Sequence, residues 1–170
     1  MNMNIHLRLL RPLLQQIRED LSRHHPFAAE RVGFLTCGVA TLADPGLLLL
    51  GEAWHPVADE DYVNDDNVGA CIGGGAFRKI FQIAHREPVA ILHVHRHDHR
   101  GRPGFSYTDE RSMREFVPGF FNACRSRPHG AVVLSHNSAV GAIWIEANGP
   151  RHSLGTVEVI DQPCEKWRLS

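Results

Sequence analysis

Residues 89–99 read Val-Ala-Ile-Leu-His-Val-His-Arg-His-Asp-His, an apolar run that passes directly into a histidine cluster. Residues 93–99 hold four of the twelve histidines of the chain. The apolar run predicts a buried strand over 89–95. Because alternate side chains of a strand point to the same face, His93 and His95 would aim two imidazole rings at one point. This stretch therefore predicts a metal site at the end of a strand.

A carboxylate beyond the following loop can complete such a site. Asp109, in Ser106-Tyr107-Thr108-Asp109, is the natural third ligand. Neutral imidazole and carboxylate suit zinc, and a catalytic zinc ion takes three protein ligands and keeps one position for water. The spacing Ser106-x-x-Asp109 is also typical of a capping box at the start of a helix, and the two interpretations are compatible. Solvated loop histidines are the simpler alternative.

Length and composition predict an ordinary globular protein. The 170 residues suit a single domain over 1–170, with 43% hydrophobic and 22% charged residues and a net charge of −1. The eighteen Lys and Arg are dispersed among nineteen Asp and Glu, a pattern that argues against nucleic-acid binding. Arg8, Arg11 and Pro12 interrupt the N-terminal apolar residues, so neither a secretory signal nor a membrane span is expected. We therefore expect a cytoplasmic protein.

Hydrophobic periodicity predicts one mixed α/β (α+β) domain with a mainly antiparallel sheet flanked by helices. The expected order is helix, two strands, helix, strand, helix and three strands. The expected helices cover 7–21, a stretch that Gly73-Gly74-Gly75 opens, and a stretch from Thr108 or Asp109 that Pro118-Gly119 should kink or divide. The expected strands are 31–41 and 47–57, paired across a turn at 43–46, then 89–95, 131–134, 140–145 and 155–160. The acidic stretch 58–67 should be an exposed loop.

Hydrolysis at a zinc site needs a group that takes a proton from water and returns it to the leaving amine, and one carboxyl group can do both. Two candidates are Glu30, at the entrance to the first predicted strand, and Glu52, inside the second. The residues alone rank these two only weakly.

Glu30 before Val-Gly-Phe-Leu, then His93-x-His95, then Ser106-x-x-Asp109, in this order, resembles the JAMM metalloproteases, the catalytic branch of the MPN domain family. The resemblance runs from about residue 30 to about residue 145, and it implies a JAB/MPN-like (cytidine-deaminase-like) fold. It also implies that His93, His95 and Asp109 bind zinc, that Glu30 is the general base and later the acid, and that Ser106 stabilises the oxyanion.

One departure concerns the histidines. In the family the second histidine is normally followed by proline, and the serine comes eight residues later. Here Arg96 follows His95, and Ser106 lies eleven positions beyond His95. The alternative pair His95 and His97 shortens the loop, but it moves the ligands further from the apolar strand. We expect His93 and His95 as the ligand pair, with His97 as the alternative ligand.

The resemblance also implies a substrate. Members of this family cleave isopeptide or peptide bonds at the C-terminal tail of ubiquitin or ubiquitin-like proteins. A deubiquitinase-like metallopeptidase is therefore expected, with a ubiquitin-like protein or its conjugate as substrate and the activating and conjugating enzymes of that pathway as further partners. The segment 58–75 falls where the family often carries a substrate-contacting insertion, and a solvated acidic loop is the open alternative.

Other classes fit less well. Metal-free MPN-like scaffold or binding modules lack the ligands that are present here. Among other small zinc hydrolases, the metallo-β-lactamase-like pattern HxHxDH is one residue shorter than the stretch from His93 to His99. A zinc nucleobase deaminase needs a second cysteine three positions beyond Cys164, where this chain has Trp167, and no CxxC pair occurs elsewhere.

Overall fold

A computed structural model describes residues 3–42, 46–65 and 67–161 of the chain. Within these residues the chain forms seven strands, three α-helices and one short 3-10 turn at Asp59–Asp61. The strands are β1 (Asn4–Leu10), β2 (Val32–Leu42), β3 (Gly46–Pro56), β4 (Ala90–Arg96), β5 (His129–Leu134), β6 (Ala139–Trp144) and β7 (Arg151–Ile160). The helices are α1 (Arg11–Leu21), α2 (Gly74–Arg86) and α3 (Tyr107–Ala123).

The seven strands close into a barrel in the order β1-β3-β2-β4-β5-β6-β7. Strand β1 closes it, because β1 pairs in parallel with β3 on one side and with β7 on the other. Strands β4 and β5 are also parallel, whereas β2 pairs antiparallel with β3 and β4, and β6 with β5 and β7. The sequence predicts that strands 31–41 and 47–57 pair, and the pairing of β2 with β3 confirms this. Residues 43–45 of the predicted turn lie outside the described residues.

The JAB/MPN-like fold implied by the resemblance is wrong for this chain. The expected fold is a single domain with a mixed, mainly antiparallel sheet flanked by helices. Instead, β1 pairs with both β3 and β7, so the sheet of the described residues closes on itself and has no free edge strand. Three of the seven strand pairings are parallel. The architecture is a closed mixed barrel with three helices packed on it.

The expected helix over 7–21 is wrong in its first turn. Residues 4–10 form β1, and α1 begins at Arg11 with Pro12 in its first turn. Ile5, Leu7 and Leu9 are buried whereas alternate residues are more exposed, which is the period of a strand. Leu7 and Leu10 also continue the helical spacing of the apolar residues in α1. This short stretch therefore fits the periodicity of a strand and that of a helix.

Strand β4 is buried on both faces. One core cluster combines Leu14, Ile17 and Leu21 of α1 with inward residues of the strands, including Leu92 and Val94. A second cluster packs α2 and α3 against the other face, where Ile91 contributes. Side chains at odd-numbered positions of β4 therefore face α2 and α3.

The remaining elements agree with the predicted order. Helix α2 begins within the glycine run 73–75. Helix α3 begins one or two residues earlier than expected and runs through Pro118 without being divided. The acidic stretch is more ordered than an exposed loop, since Tyr62 is buried and forms a bridge with Ile72. No helix within the described ranges is long and apolar enough to cross a membrane.

Candidate metal centre

Strand β4 delivers three histidines to the face that α3 covers. His93 and His95 are two residues apart in β4, so their rings point the same way, and their centroids lie 5.9 Å apart. The alternation continues past the end of β4, because the His97 N–H donates to the Leu134 carbonyl at 2.9 Å. The His97 ring consequently lies beside that of His95, with 5.1 Å between centroids.

The first turn of α3 presents the carboxylate. Ser106 is the N-cap of α3, and it forms a capping box with Asp109, as the sequence spacing predicts. The Asp109 N–H donates to Ser106 Oγ at 3.1 Å, while Asp109 Oδ2 accepts from the Ser106 N–H at 2.7 Å and from its hydroxyl at 2.8 Å. These bonds hold the Asp109 carboxylate at the end of the helix that faces β4.

Four side chains converge between these elements. Glu30, His95 and His97 each offer a ligand atom, and the three atoms lie within 4.8 Å of one another. Asp109 adds a carboxylate whose Oδ1 lies 3.3 Å from His95 Nε2 and whose Oδ2 lies 3.9 Å from His97 Nε2. Around a tetrahedral zinc ion with bonds of about 2.0–2.2 Å, neighbouring donor atoms are about 3.4 Å apart. Both separations are close to this value, and each is made by a different oxygen atom of Asp109.

A buried nitrogen atom supports this fit. His95 is only 3% exposed, and its Nε2 has no hydrogen-bond partner within the part of the chain that the structure describes. Buried polar atoms are normally satisfied, so an orphaned nitrogen that faces a carboxylate needs a physical reason. An ion bound between His95 and Asp109 supplies that reason. Two imidazoles and a carboxylate are donors that suit zinc.

The charge state of Asp109 is favourable for a cation. Burial alone would raise the pKa of this carboxyl group, but the adjacent His95 ring and the hydrogen bonds from Ser106 together lower it well below its usual range. Asp109 is therefore a carboxylate at neutral pH. It presents a negative charge to both histidines.

His93 lies beside His95 on the same face of β4 and has an aromatic environment. Its ring centroid is 4.8 Å from that of Phe116 and 5.8 Å from that of Phe34. Burial, with a contribution from His95, lowers the pKa of His93 to about 3, so this ring is neutral. Within the described residues, the group of possible ligands with atoms within 4.8 Å of one another is Glu30, His95 and His97, and it includes neither His93 nor Asp109. His93 lines the cavity next to the cluster.

The structure separates the two candidate bases. Glu30 lies just before β2, and its N–H donates to the Gly69 carbonyl at 2.9 Å. Its carboxylate faces the histidine pair. Glu52 is instead exposed on β3, where its carboxylate occupies the space beside Gly38. Glu30 lines the cavity and Glu52 does not.

A cavity of about 780 Å³ opens onto the cluster. Residues 67–72 line one side of it, and the first half of α3 lines the other. Phe77, Phe81 and Phe116 give it an aromatic wall next to His93. Tyr107 stands at the N-terminus of α3 with 85% of its surface exposed. The cavity thus combines an aromatic wall with the polar groups of the cluster, an arrangement common in ligand sites.

The site residues expected from the sequence are mostly brought together. Glu30, His95, Ser106 and Asp109 meet at this cavity, and His97 joins them where His93 was expected. The signal for His97 was the loop length, because the pair His95 and His97 leaves fewer residues before Ser106. Gly69 and the aromatic wall were missed, since no local pattern marks residues that are distant in sequence.

The sequence matches no protein-family model and no curated protein. Among solved structures, the Trichoplax adhaerens STIL N-terminal domain is similar to this chain with a TM-score of 0.39 and 8% sequence identity. The match covers 82% of this chain and 44% of that chain, so this chain spans less than half of the neighbour's length. A similarity at this level supports no inference about fold or function.

Proposed function

We propose that this chain is a zinc-dependent metallopeptidase in which His95, His97 and Asp109 bind the ion and Glu30 transfers the proton. The observation that carries the proposal is the convergence of these four side chains at one cavity, with His95 Nε2 buried and facing Asp109. The same residue types in the same chain order support amide hydrolysis through the JAMM-like motif, independently of the overall fold.

Zinc bound by such donors activates water and polarises a carbonyl group. The Glu30 carboxylate accepts a proton from the attacking water as the water oxygen bonds to the carbonyl carbon. Glu30 then delivers that proton to the nitrogen as the C–N bond breaks. The Ser106 hydroxyl lies beside Asp109 and can rotate toward the negative charge that develops on the carbonyl oxygen. Such a donor is worth about 3 kcal/mol in comparable oxyanion sites.

The proposed substrate is an extended peptide, first of all the C-terminal tail of a ubiquitin-like modifier. The cavity volume of about 780 Å³ suits a few residues of an extended chain, and the aromatic wall offers apolar contacts. We keep the activating and conjugating enzymes of such a pathway as proposed partners. A cytoplasmic location agrees with the free thiols of Cys37, Cys71 and Cys124.

The experiment combines zinc analysis with turnover. Purified protein should bind about one zinc ion per chain. It should release the fluorophore from ubiquitin, or from a short peptide, that carries a C-terminal fluorogenic amide. Glu30→Gln should keep the zinc and lower kcat by about 10²-fold or more, because it removes the proton carrier but no ligand. Zinc-loaded protein with no turnover on either substrate would contradict a peptidase, and wild-type turnover in Glu30→Gln would contradict its mechanism.

A matched pair of variants tests the ligand assignment. His97→Ala removes a nitrogen that lies 3.9 Å from Asp109, so zinc affinity should fall steeply. His93→Ala removes a neutral ring that packs on Phe116, and zinc should stay bound. Competition with a chromogenic chelator measures both affinities. Loss of zinc in His93→Ala with retention in His97→Ala would restore the pair His93 and His95.

A further inference from the structure

Residues 59–73 are here called the acidic segment. Three consecutive residues that lead into β2, Glu30, Arg31 and Val32, are each bound by a different residue of this segment. The Glu30 N–H donates to the Gly69 carbonyl at 2.9 Å. The Arg31 guanidinium donates to Asp59 Oδ1 at 2.7 Å. The Val32 N–H donates to the Tyr62 hydroxyl at 2.9 Å, and that hydroxyl donates to the Val32 carbonyl at 3.3 Å. The acidic segment is therefore hydrogen-bonded to the short stretch of chain that carries Glu30.

The contact with Arg31 joins a buried guanidinium group to the carboxylate of Asp59, whose side chain is 56% exposed. Arg31 is 3% exposed, and its guanidinium also donates to the carbonyls of Arg23 and His24, at 2.8 and 2.9 Å. Its hydrogen bond to Asp59 raises the pKa of Arg31 and lowers that of Asp59. Leaving the buried Arg31 charge without this partner would cost folding free energy. The contact therefore holds Asp59, the first residue of the acidic segment, beside Arg31.

The segment is itself held in one shape. The Val63 N–H donates to the Cys71 carbonyl at 2.8 Å, and the Gly73 N–H donates to the Asp61 carbonyl at 2.7 Å. Tyr62 is 6% exposed in the core cluster that includes α2, and Ile72 packs against the same cluster. The two ends of the segment are therefore hydrogen-bonded to each other and packed against the core. Gly69 lies between these ends, next to Glu30.

Gly69 meets the Glu30 side chain as well as its backbone. A Cβ atom at position 69 would lie 3.0 Å from both Cδ and Oε2 of Glu30, tighter than ordinary van der Waals contact. Gly101 is the residue with positive φ in the described ranges, so the backbone at Gly69 accepts alanine without strain. The absence of a side chain at 69 thus leaves the space that the Glu30 carboxylate fills.

We infer that the acidic segment is a brace that sets the Glu30 carboxylate against His95 and His97, with Gly69 as the positioning residue. The inference rests on the proposed function only in giving Glu30 the proton transfer. This role explains the acidic side chains of the segment by their contacts within the chain. Asp59 binds Arg31, Asp61 binds Lys79, and Asp65 accepts two hydrogen bonds from Asn67.

The test is Gly69→Ala in the full-length, zinc-loaded protein, with Gly74→Ala as the matched control because nothing lies within 4 Å of a Cβ there. The new methyl group should displace the Glu30 carboxylate while the three proposed ligands stay in place. With the fluorogenic ubiquitin amide, kcat should fall by about tenfold or more, as expected when a positioned proton carrier is displaced, with KM within about threefold of the wild-type value. Zinc affinity should stay within about threefold, and Gly74→Ala should match the wild type in all three quantities.

A spectroscopic cycle separates the brace from the proposed function. In Co²⁺-substituted protein, Gly69→Ala should shift the visible absorption bands. The same substitution should leave them unchanged in a Glu30→Ala background, because there is then no carboxylate to displace. This readout needs no turnover. An inactive wild type would therefore overturn the peptidase proposal alone, whereas equal shifts in both backgrounds, or no shift in either, would overturn the brace.

Tyr62→Phe provides a second variant if Gly69→Ala fails to fold. It keeps the ring in the core and removes only the hydroxyl that binds Val32. We expect a lower kcat with zinc retained, and Co²⁺ bands displaced in the wild-type background but not with Glu30→Ala. Wild-type kcat and spectra in Tyr62→Phe would contradict the brace.

Discussion

His129 of β5 is a fully buried histidine whose two ring nitrogens are both used by backbone groups. Its Nδ1 accepts from the Ile91 N–H at 3.0 Å, and its Nε2 lies 2.6 Å from the Cys124 carbonyl, to which it donates. This pattern defines the neutral tautomer with its proton on Nε2. Protonation would place a second ring N–H against the Ile91 N–H. The residue thus links β4, β5 and the end of α3 only while it is uncharged.

The stability of the protein should therefore depend on the charge of His129. Burial lowers its pKa from 6.5 to about 4, so between these pH values the unfolded chain binds a proton that the folded chain does not. The free energy of unfolding should fall as the pH drops through this window, by about 3 kcal/mol at pH 4 from this residue. Urea unfolding of the metal-free protein from pH 7.5 to pH 4.5 measures the loss.

His129→Gln is the control, because glutamine can accept and donate but does not titrate. We expect this variant to be less stable at pH 7.5 and to lose less stability than the wild type toward pH 4.5. Parallel losses in the two proteins would show that other groups, such as His93, dominate the acid response.

At the scale of the element, the first turn of α3 has two roles. The capping box satisfies backbone groups that the helix leaves free, and it also orients Asp109 toward the two histidines. The helix cap and the proposed metal site thus share the same four hydrogen-bonding atoms. The two interpretations of Ser106-x-x-Asp109 suggested by the sequence are compatible in the structure.

Ser106→Ala should weaken both roles together. The loss of the cap should cost about 1 kcal/mol of unfolding free energy. Zinc affinity should fall by about 10-fold to 100-fold, the usual effect of removing a group that orients a metal ligand. Ser106→Thr keeps the hydroxyl and should retain most of both. Urea unfolding and chelator competition measure the two effects, and a Ser106→Ala protein with wild-type zinc affinity would contradict the coupling.

The sequence predicts most of this element, and the proposed ligand set differs from the expected one at a single histidine. Ser106 and Asp109 follow from a three-residue spacing, and His95 follows from the apolar strand before it, because both signals are local. His97 is harder to assign, because it lies beyond the apolar run. The hydrogen bond from its N–H to Leu134 extends the strand pairing to it, and that bond depends on β5, more than thirty residues away.

At the scale of the whole molecule, closure of the barrel is the property that the sequence predicts least. Strand β1 pairs with β7 about 150 residues later, where Arg8 binds Glu158, Arg11 binds Asp161 and His6 contacts Thr156. No local pattern specifies a parallel partner so distant in sequence. The motif that resembles a known family lies in β2, β4 and α3, and so it carries no information about how β1 and β7 meet.

Leu9 and Leu10 of β1 allow a direct test of this closure. Leu9 is 2% exposed, lies opposite Val159 of β7, and fills the space that a side chain at Gly51 of β3 would need, whereas Leu10 is 50% exposed. Leu9→Ala should therefore lower the free energy of unfolding by about 2–5 kcal/mol, and Leu10→Ala by about 0.5 kcal/mol or less. A helix over 7–21 predicts the reverse order, because Leu10 would share its apolar face with Leu14 and Leu9 would not. Urea unfolding of the two variants distinguishes the alternatives, and a larger loss in Leu10→Ala would contradict the closing strand.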